Sequence, residues 1–144
     1  VKETILRRFP QDDFLGEEDS PEVASLKSPR RWIVDPIDGT TNFVHGFPYY
    51  GSSIALEVDG EIVVGVIYDP SKKEMFVAAK GQGAHCNSQR LAVSASARLS
   101  EALVCIGLPA VPEKHPETIS GMVRLTARTR SVRRMGSAAL SMAY

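Results

Sequence analysis

The chain has 144 residues, 43% of them hydrophobic and 24% charged, and its 17 Lys plus Arg balance 17 Asp plus Glu to a formal net charge of zero. This is an ordinary globular composition with enough material for one sizeable core, and its neutrality excludes a global field that would recruit nucleic acid or an anionic membrane. The balance is made of opposites: residues 1–72 hold 13 acids and 7 bases, residues 73–144 hold 4 and 10, so the halves carry −6 and +6. Apolar runs such as Ile62 to Ile67 fall far short of the roughly 18–20 residues that span a bilayer. Cys86 and Cys105 have no companion at metal-ligand spacing and are too few for a disulfide scaffold. They are expected to be inert core residues of a protein in a reducing, cytoplasmic setting.

In chain order, Val1, Ile5, Leu6 and Phe9 follow a helical spacing that Pro10 ends. Asp13 to Gly16 is short and extended, and Glu17 to Pro29 is a polar connection. Trp32-Ile33-Val34 marks a buried strand over Arg31 to Asp35, whose end Pro36 is expected to fix. Gly51 to Val58, Glu61 to Tyr68 and Glu74 to Ala79 read as strands joined by the turn signals Asp59-Gly60 and Asp69-Pro70-Ser71, a meander that predicts an antiparallel sheet. After Ser96 the pattern becomes strand, helix, strand, helix. Its elements are Ala102 to Ile106, Pro116 to Arg128 with Ile119, Met122, Val123 and Leu125 inward, Ser131 to Arg133, and a helix from Ala138 capped by Ser137. The fold class is therefore α/β, with an N-terminal domain over residues 1–97 and the beginning of a C-terminal α/β domain over 98–144. The chain opens on Val1 and stops at Tyr144 inside a helical pattern, so both units are expected to be cut short.

The most informative stretch is Val34-Asp35-Pro36-Ile37-Asp38-Gly39-Thr40-Thr41-Asn42. Two carboxylates three apart, straddling a proline at the end of a buried strand, are held in one geometry. Hard divalent cations want such oxygens: Mg²⁺ takes a few carboxylates and completes its shell with water and phosphate. Gly39-Thr40-Thr41 can open a helix whose free N–H groups attract an anion. Metal-binding acids beside an anion cradle point to phosphoryl chemistry. A second acidic cluster, Asp12, Asp13, Glu17, Glu18, Asp19 and Glu22, taken alone reads as a solvated loop.

Gly16-Glu17-Glu18 followed by Trp32-Ile33-Val34-Asp35-Pro36-Ile37-Asp38-Gly39-Thr40-Thr41-Asn42-Phe43 resembles the inositol monophosphatase family of Mg²⁺-dependent, lithium-sensitive phosphatases. The likeness runs on through Gly65-Val66-Ile67-Tyr68, Gly81-Gln82-Gly83-Ala84 and Cys86-Asn87 to Gly136-Ser137-Ala138-Ala139. It implies a layered α-β-α-β-α sugar-phosphatase fold and hydrolysis of a phosphate monoester, inositol monophosphate first, with two or three Mg²⁺ ions. Glu17, Asp35 and the carbonyl of Ile37 would bind the first ion, and Asp35 and Asp38 a second. Glu17 and Thr40 would orient the attacking water, the N–H groups of Gly39 and Thr40 would hold the phosphate, and Asp38 would also face the substrate hydroxyls. The resemblance further implies a homodimer and a small-molecule phosphate ester as partner, while the balanced charge and short apolar runs argue against nucleic acid and membrane as partners.

The family's late Trp-Asp-x-x-Ala-Gly aspartate and late substrate-binding glutamate are absent, because the only tryptophan is Trp32. Without them the second metal site lacks a ligand and the pocket a wall, so a 144-residue molecule alone would have very low activity. Fructose 1,6-bisphosphate, histidinol phosphate and nucleotide bisphosphates are the alternative substrates within the family. A non-catalytic metal-binding or oligomerisation module is the alternative outside it. His45 lies beside the acids but reads as a loop residue, since metal-assisted hydrolysis does not call for it. Arg124, Arg128, Arg130, Arg133 and Arg134 have no aromatic residues interleaved to stack on bases and read as a solvated or interface surface.

Overall fold

The computed structural model describes residues 1–17, 28–108 and 111–144. Most of the polar connection predicted after Glu17, with Glu18, Asp19 and Glu22, lies outside the described residues. Helix α1 (Lys2–Arg8) leads into β1 (Asp13–Gly16), and the sheet continues with β2 (Arg30–Asp38), β3 (Gly51–Val58), β4 (Glu61–Asp69), β5 (Glu74–Ala79), β6 (Gly83–Cys86) and β7 (Gln89–Arg90). Between β2 and β3 stands the short helix α2 (Thr40–Val44). These seven strands lie side by side in chain order. The chain then forms β8 (Leu103–Cys105), α3 (Pro116–Thr126), β9 (Ser131–Arg133) and α4 (Ala138–Ala143), with β8 and β9 paired in parallel as a separate small sheet.

The fold is α/β, and its large sheet is antiparallel from β2 onward. β1 departs from that pattern by pairing parallel with β2, Gly16 opposite Val34. A parallel pair needs a long connection, and the chain between Gly16 and Arg30 supplies one. Asp59 and Gly60 both have positive φ, 52° and 80°, which is the two-residue hairpin turn that the Asp-Gly pair predicts.

Three expectations are corrected. Pro36 does not end β2. The strand runs on to Asp38, because the ladder with β3 shifts register between Asp35 and Asp38 and asks no N–H of Pro36. Val123 is 65% exposed instead of inward. The inner stripe of α3 centres on Met122, and Val123 lies about 100° around the helix from it. Cys105 is exposed, since Val104 takes the inner face of three-residue β8, while Cys86 is partly buried.

The core joins the sheet to α4. Val34, Tyr49, Phe76, Ala139 and Leu140 are buried, Leu140 completely. Gly51 permits this contact: a Cβ there would stand 2.6 Å from the Tyr68 carbonyl and 3.4 Å from Leu140 Cδ2. Among the described residues no helix is long and apolar enough to cross a membrane.

Candidate active site at the end of the second strand

Parallel pairing of β1 with β2 delivers Glu17 to the site. Its N–H donates to the Val34 carbonyl at 3.2 Å, so the first residue past β1 is held beside Asp35. Asp35 itself is folded back onto its own turn, accepting the Ile37 N–H at 3.0 Å. Burial raises the pKa of the Asp35 carboxyl, and the Glu17 charge raises it further. The Ile37 N–H opposes the rise, and Asp38 adds to it. Crowded carboxylates resist joint ionisation unless a cation relieves them.

The turn beyond Asp35 is tied down by short polar bonds. Ser52 Oγ donates to the Pro36 carbonyl at 2.7 Å, and Thr40 Oγ1 to the Ile37 carbonyl at 3.0 Å. Gly39 caps α2 with φ of 90°, a conformation that disfavours any side chain. A Cβ there would also press within 3.1 Å of the Tyr49 carbonyl and 3.3 Å of Ser137 Cβ. The opening of α2 leaves its first N–H groups without intrahelical acceptors, as every helix start does.

Asp38 faces the start of α4. Its Oδ2 accepts the Ser137 hydroxyl in a very short bond and the Ala139 N–H at 2.7 Å, while Oδ1 accepts the Ala138 N–H at 3.3 Å. Ser137 is 1% exposed and also caps α4, accepting the Leu140 N–H at 3.2 Å. Asn42 makes a parallel tie, its Nδ2 donating to the Tyr49 and Met135 carbonyls, both at 2.7 Å. Gly136 allows that approach: a Cβ would lie 2.8 Å from Asn42 Nδ2. The sequence pattern marks Asn42 as part of a string and Ser137 as a helix cap. The bonds both make across roughly a hundred residues of chain had no local signal.

The acidic cluster divides. Asp12 accepts the Trp32 indole N–H at 2.9 Å and lies 3.3 Å from Arg30 Nε, and Asp13 accepts the Ser28 N–H at 2.7 Å. Those two acids anchor the start of β2, and only Glu17 of the described members reaches Asp35. Among the described residues no group of three or more His, Cys, Asp or Glu closes into a metal-binding arrangement. The donors nonetheless suit Mg²⁺ in kind: two crowded carboxylates and the Ile37 carbonyl, which keeps a lone pair after accepting from Thr40. A cavity of about 240 Å³, lined by Lys2, Phe14, Glu17, Val34 and Pro36 among others, opens beside Glu17. His45 is exposed and forms no part of this network.

Fold and site together define an α/β protein with a carboxylate group at the end of β2, facing the start of α4. The chain belongs to the inositol monophosphatase family, which matches residues 1–144. It is 40% identical to an inositol-1-monophosphatase of Rhizobium meliloti over 145 aligned positions, covering 100% of this chain and 54% of that protein. It is 37% identical to the Nus factor SuhB of Escherichia coli, again covering 100% of this chain and 54% of the relative. Among solved structures, the inositol monophosphatase from Anabaena (Nostoc) superposes with a TM-score of 0.92 at 40% identity, covering 99% of this chain and 57% of that one. The chain thus spans about half the length of the relatives it matches.

Proposed function

We propose that the whole protein carrying this chain is a Mg²⁺-dependent phosphoric monoester hydrolase, with inositol monophosphate as its foremost substrate. The observation that carries this reading is the crowding of Glu17 on Asp35, beside Asp38 and the open start of α2. Bound Mg²⁺ would supply Lewis acidity toward the phosphoryl and leaving oxygens. Glu17, Asp35 and the Ile37 carbonyl would hold the first ion of two or three, and Asp38 would share a second with Asp35. Glu17 and the Thr40 hydroxyl position the attacking water, and the N–H groups of Gly39 and Thr40 face the phosphate. Asp38 also meets the substrate hydroxyls. We place the protein in the cytoplasm as a homodimer, with its domain boundary near residue 97.

The Escherichia coli relative is named a Nus factor, and the second reading is a non-catalytic metal-binding or oligomerisation module. One assay separates the two. Full-length protein is offered inositol monophosphate, fructose 1,6-bisphosphate, histidinol phosphate and a nucleotide bisphosphate, with Mg²⁺ and again after chelation. Phosphate release that is greatest from inositol monophosphate and vanishes on chelation supports the hydrolase. Release from none of the esters overturns it.

A further inference from the structure

We infer that Ser137 is a positioning residue that fixes the Asp38 carboxylate with one oxygen committed and the other free for the acid site. This rests on the hydrolase reading and assigns Ser137 a task beyond capping α4. A carboxylate offers about four lone-pair directions, two on each oxygen. Oδ2 spends both of its own on the Ser137 hydroxyl and the Ala139 N–H. Oδ1 accepts one long bond, from Ala138 N–H at 3.3 Å, and keeps a lone pair. It is the oxygen left for a cation or a substrate hydroxyl. The Asp38 charge also acts on Asp35, so the two carboxylates share one electrostatic neighbourhood.

The hydroxyl is well placed for this task. Ser137 is 1% exposed, so its hydroxyl is shielded from bulk water. Its oxygen is oriented from the other side by the Leu140 N–H at 3.2 Å, which leaves the O–H directed at Asp38. Leu140, completely buried against Gly51, fixes that N–H in turn. A rigid chain runs from the sheet core through Leu140 and Ser137 to Asp38. Residues that orient a ligating carboxylate in this way are worth roughly 10- to 100-fold in metal affinity or activity.

Capping and positioning are separable by substitution. Glycine caps a helix nearly as well as serine, whereas alanine does not, and neither can donate a hydrogen bond to Asp38. The test uses full-length protein with Ser137→Gly, Ser137→Ala and Ser137→Thr, reading Mg²⁺ affinity by calorimetry together with kcat and KM. Positioning predicts that Gly and Ala lose alike, roughly 10- to 100-fold in kcat and about 10-fold in Mg²⁺ affinity. Substrate KM would rise as well in Gly and Ala, since Asp38 also meets the substrate hydroxyls, and Thr, which keeps the hydroxyl, would remain close to wild type in all three readings. A folded Gly variant with wild-type kcat and Mg²⁺ affinity overturns the assignment and leaves a cap only. If Gly does not fold, Ala carries the same expectation, and a Thr variant as impaired as Ala also overturns it. Should wild-type protein neither bind Mg²⁺ nor release phosphate, the hydrolase reading falls first and the inference with it. Wild-type turnover with an unaffected Gly variant sinks the inference alone.

Discussion

Asp35 and Asp69 both stand near the end of a strand of the same sheet, and their surroundings push them in opposite directions. Asp69 is completely buried at the end of β4. Burial would raise its pKa, but hydrogen bonds outweigh it and bring the carboxyl below its ordinary value. The donors are the Ser71 hydroxyl at 2.6 Å, the Tyr144 hydroxyl at 2.9 Å, and the Ser71 and Lys72 N–H groups at 2.9 and 3.1 Å. Asp35 receives one backbone N–H and faces Glu17 and Asp38, so its carboxyl is pushed up. The buried charge with saturated bonds holds the fold, and the half-buried charge with crowded neighbours is free to do chemistry. Burial alone does not distinguish them.

The largest expected effect comes from breaking the crowded side. Asp35→Asn should lower phosphate release by full-length protein roughly 100-fold or more. Removing one of the repelling charges should leave the thermal midpoint of the metal-free protein equal or higher. On the saturated side the signs reverse. Asp69→Ala should cost about 3 kcal/mol of stability in urea unfolding, because the Ser71 and Lys72 N–H groups lose their acceptor and the Ser71 and Tyr144 hydroxyls lose a charged partner, while turnover per folded molecule is retained.

The pH dependence follows from the same side. The Asp69 pKa is lower folded than its ordinary 3.8, so its contribution is complete above that value and is lost as pH falls through the lower, folded one. Asp69→Asn should flatten this acid limb in a series of thermal melts below about pH 4. Asn42→Ala, which strips two carbonyls of one donor, should cost about 2 kcal/mol by the same unfolding measurement. Tyr144→Phe is the mildest, about 1 kcal/mol, because the ring keeps its edge contact with Phe76 and loses only the hydroxyl's bonds to Asp69 and Glu74.

Much of this contrast was legible in the chain, for local reasons. Alternating and β-branched runs between Gly51 and Ala79 specify strands, and Asp59-Gly60 specifies their turn, so the meander needed no distant information. Asp35 and Asp38 stand out because acids at the end of a Trp-Ile-Val strand demand partners, whereas the part of the Ile37 carbonyl came only from the family resemblance. The long-range features were hidden. Nothing near Asp13 announces parallel pairing with β2, although that pairing alone brings Glu17 to Asp35. Pro36 looked like a terminator because a register shift is a property of two strands and not one. Asp69 read as a turn residue, with no hint that Tyr144, 75 positions away, would reach it. Val123 fits an apolar spacing, yet its place about 100° around α3 from Met122 leaves it in solvent.

The most direct test is a side-by-side comparison of Asp35→Asn and Asp69→Asn in the full-length protein, with phosphate release from inositol monophosphate measured against Mg²⁺ concentration and folding checked by circular dichroism. A folded but nearly inactive Asp35→Asn, beside an Asp69→Asn that melts earlier yet turns over normally at low temperature, is the predicted result. An Asp35→Asn that keeps wild-type turnover and Mg²⁺ dependence would show that the carboxylates at the end of β2 are not the reactive centre.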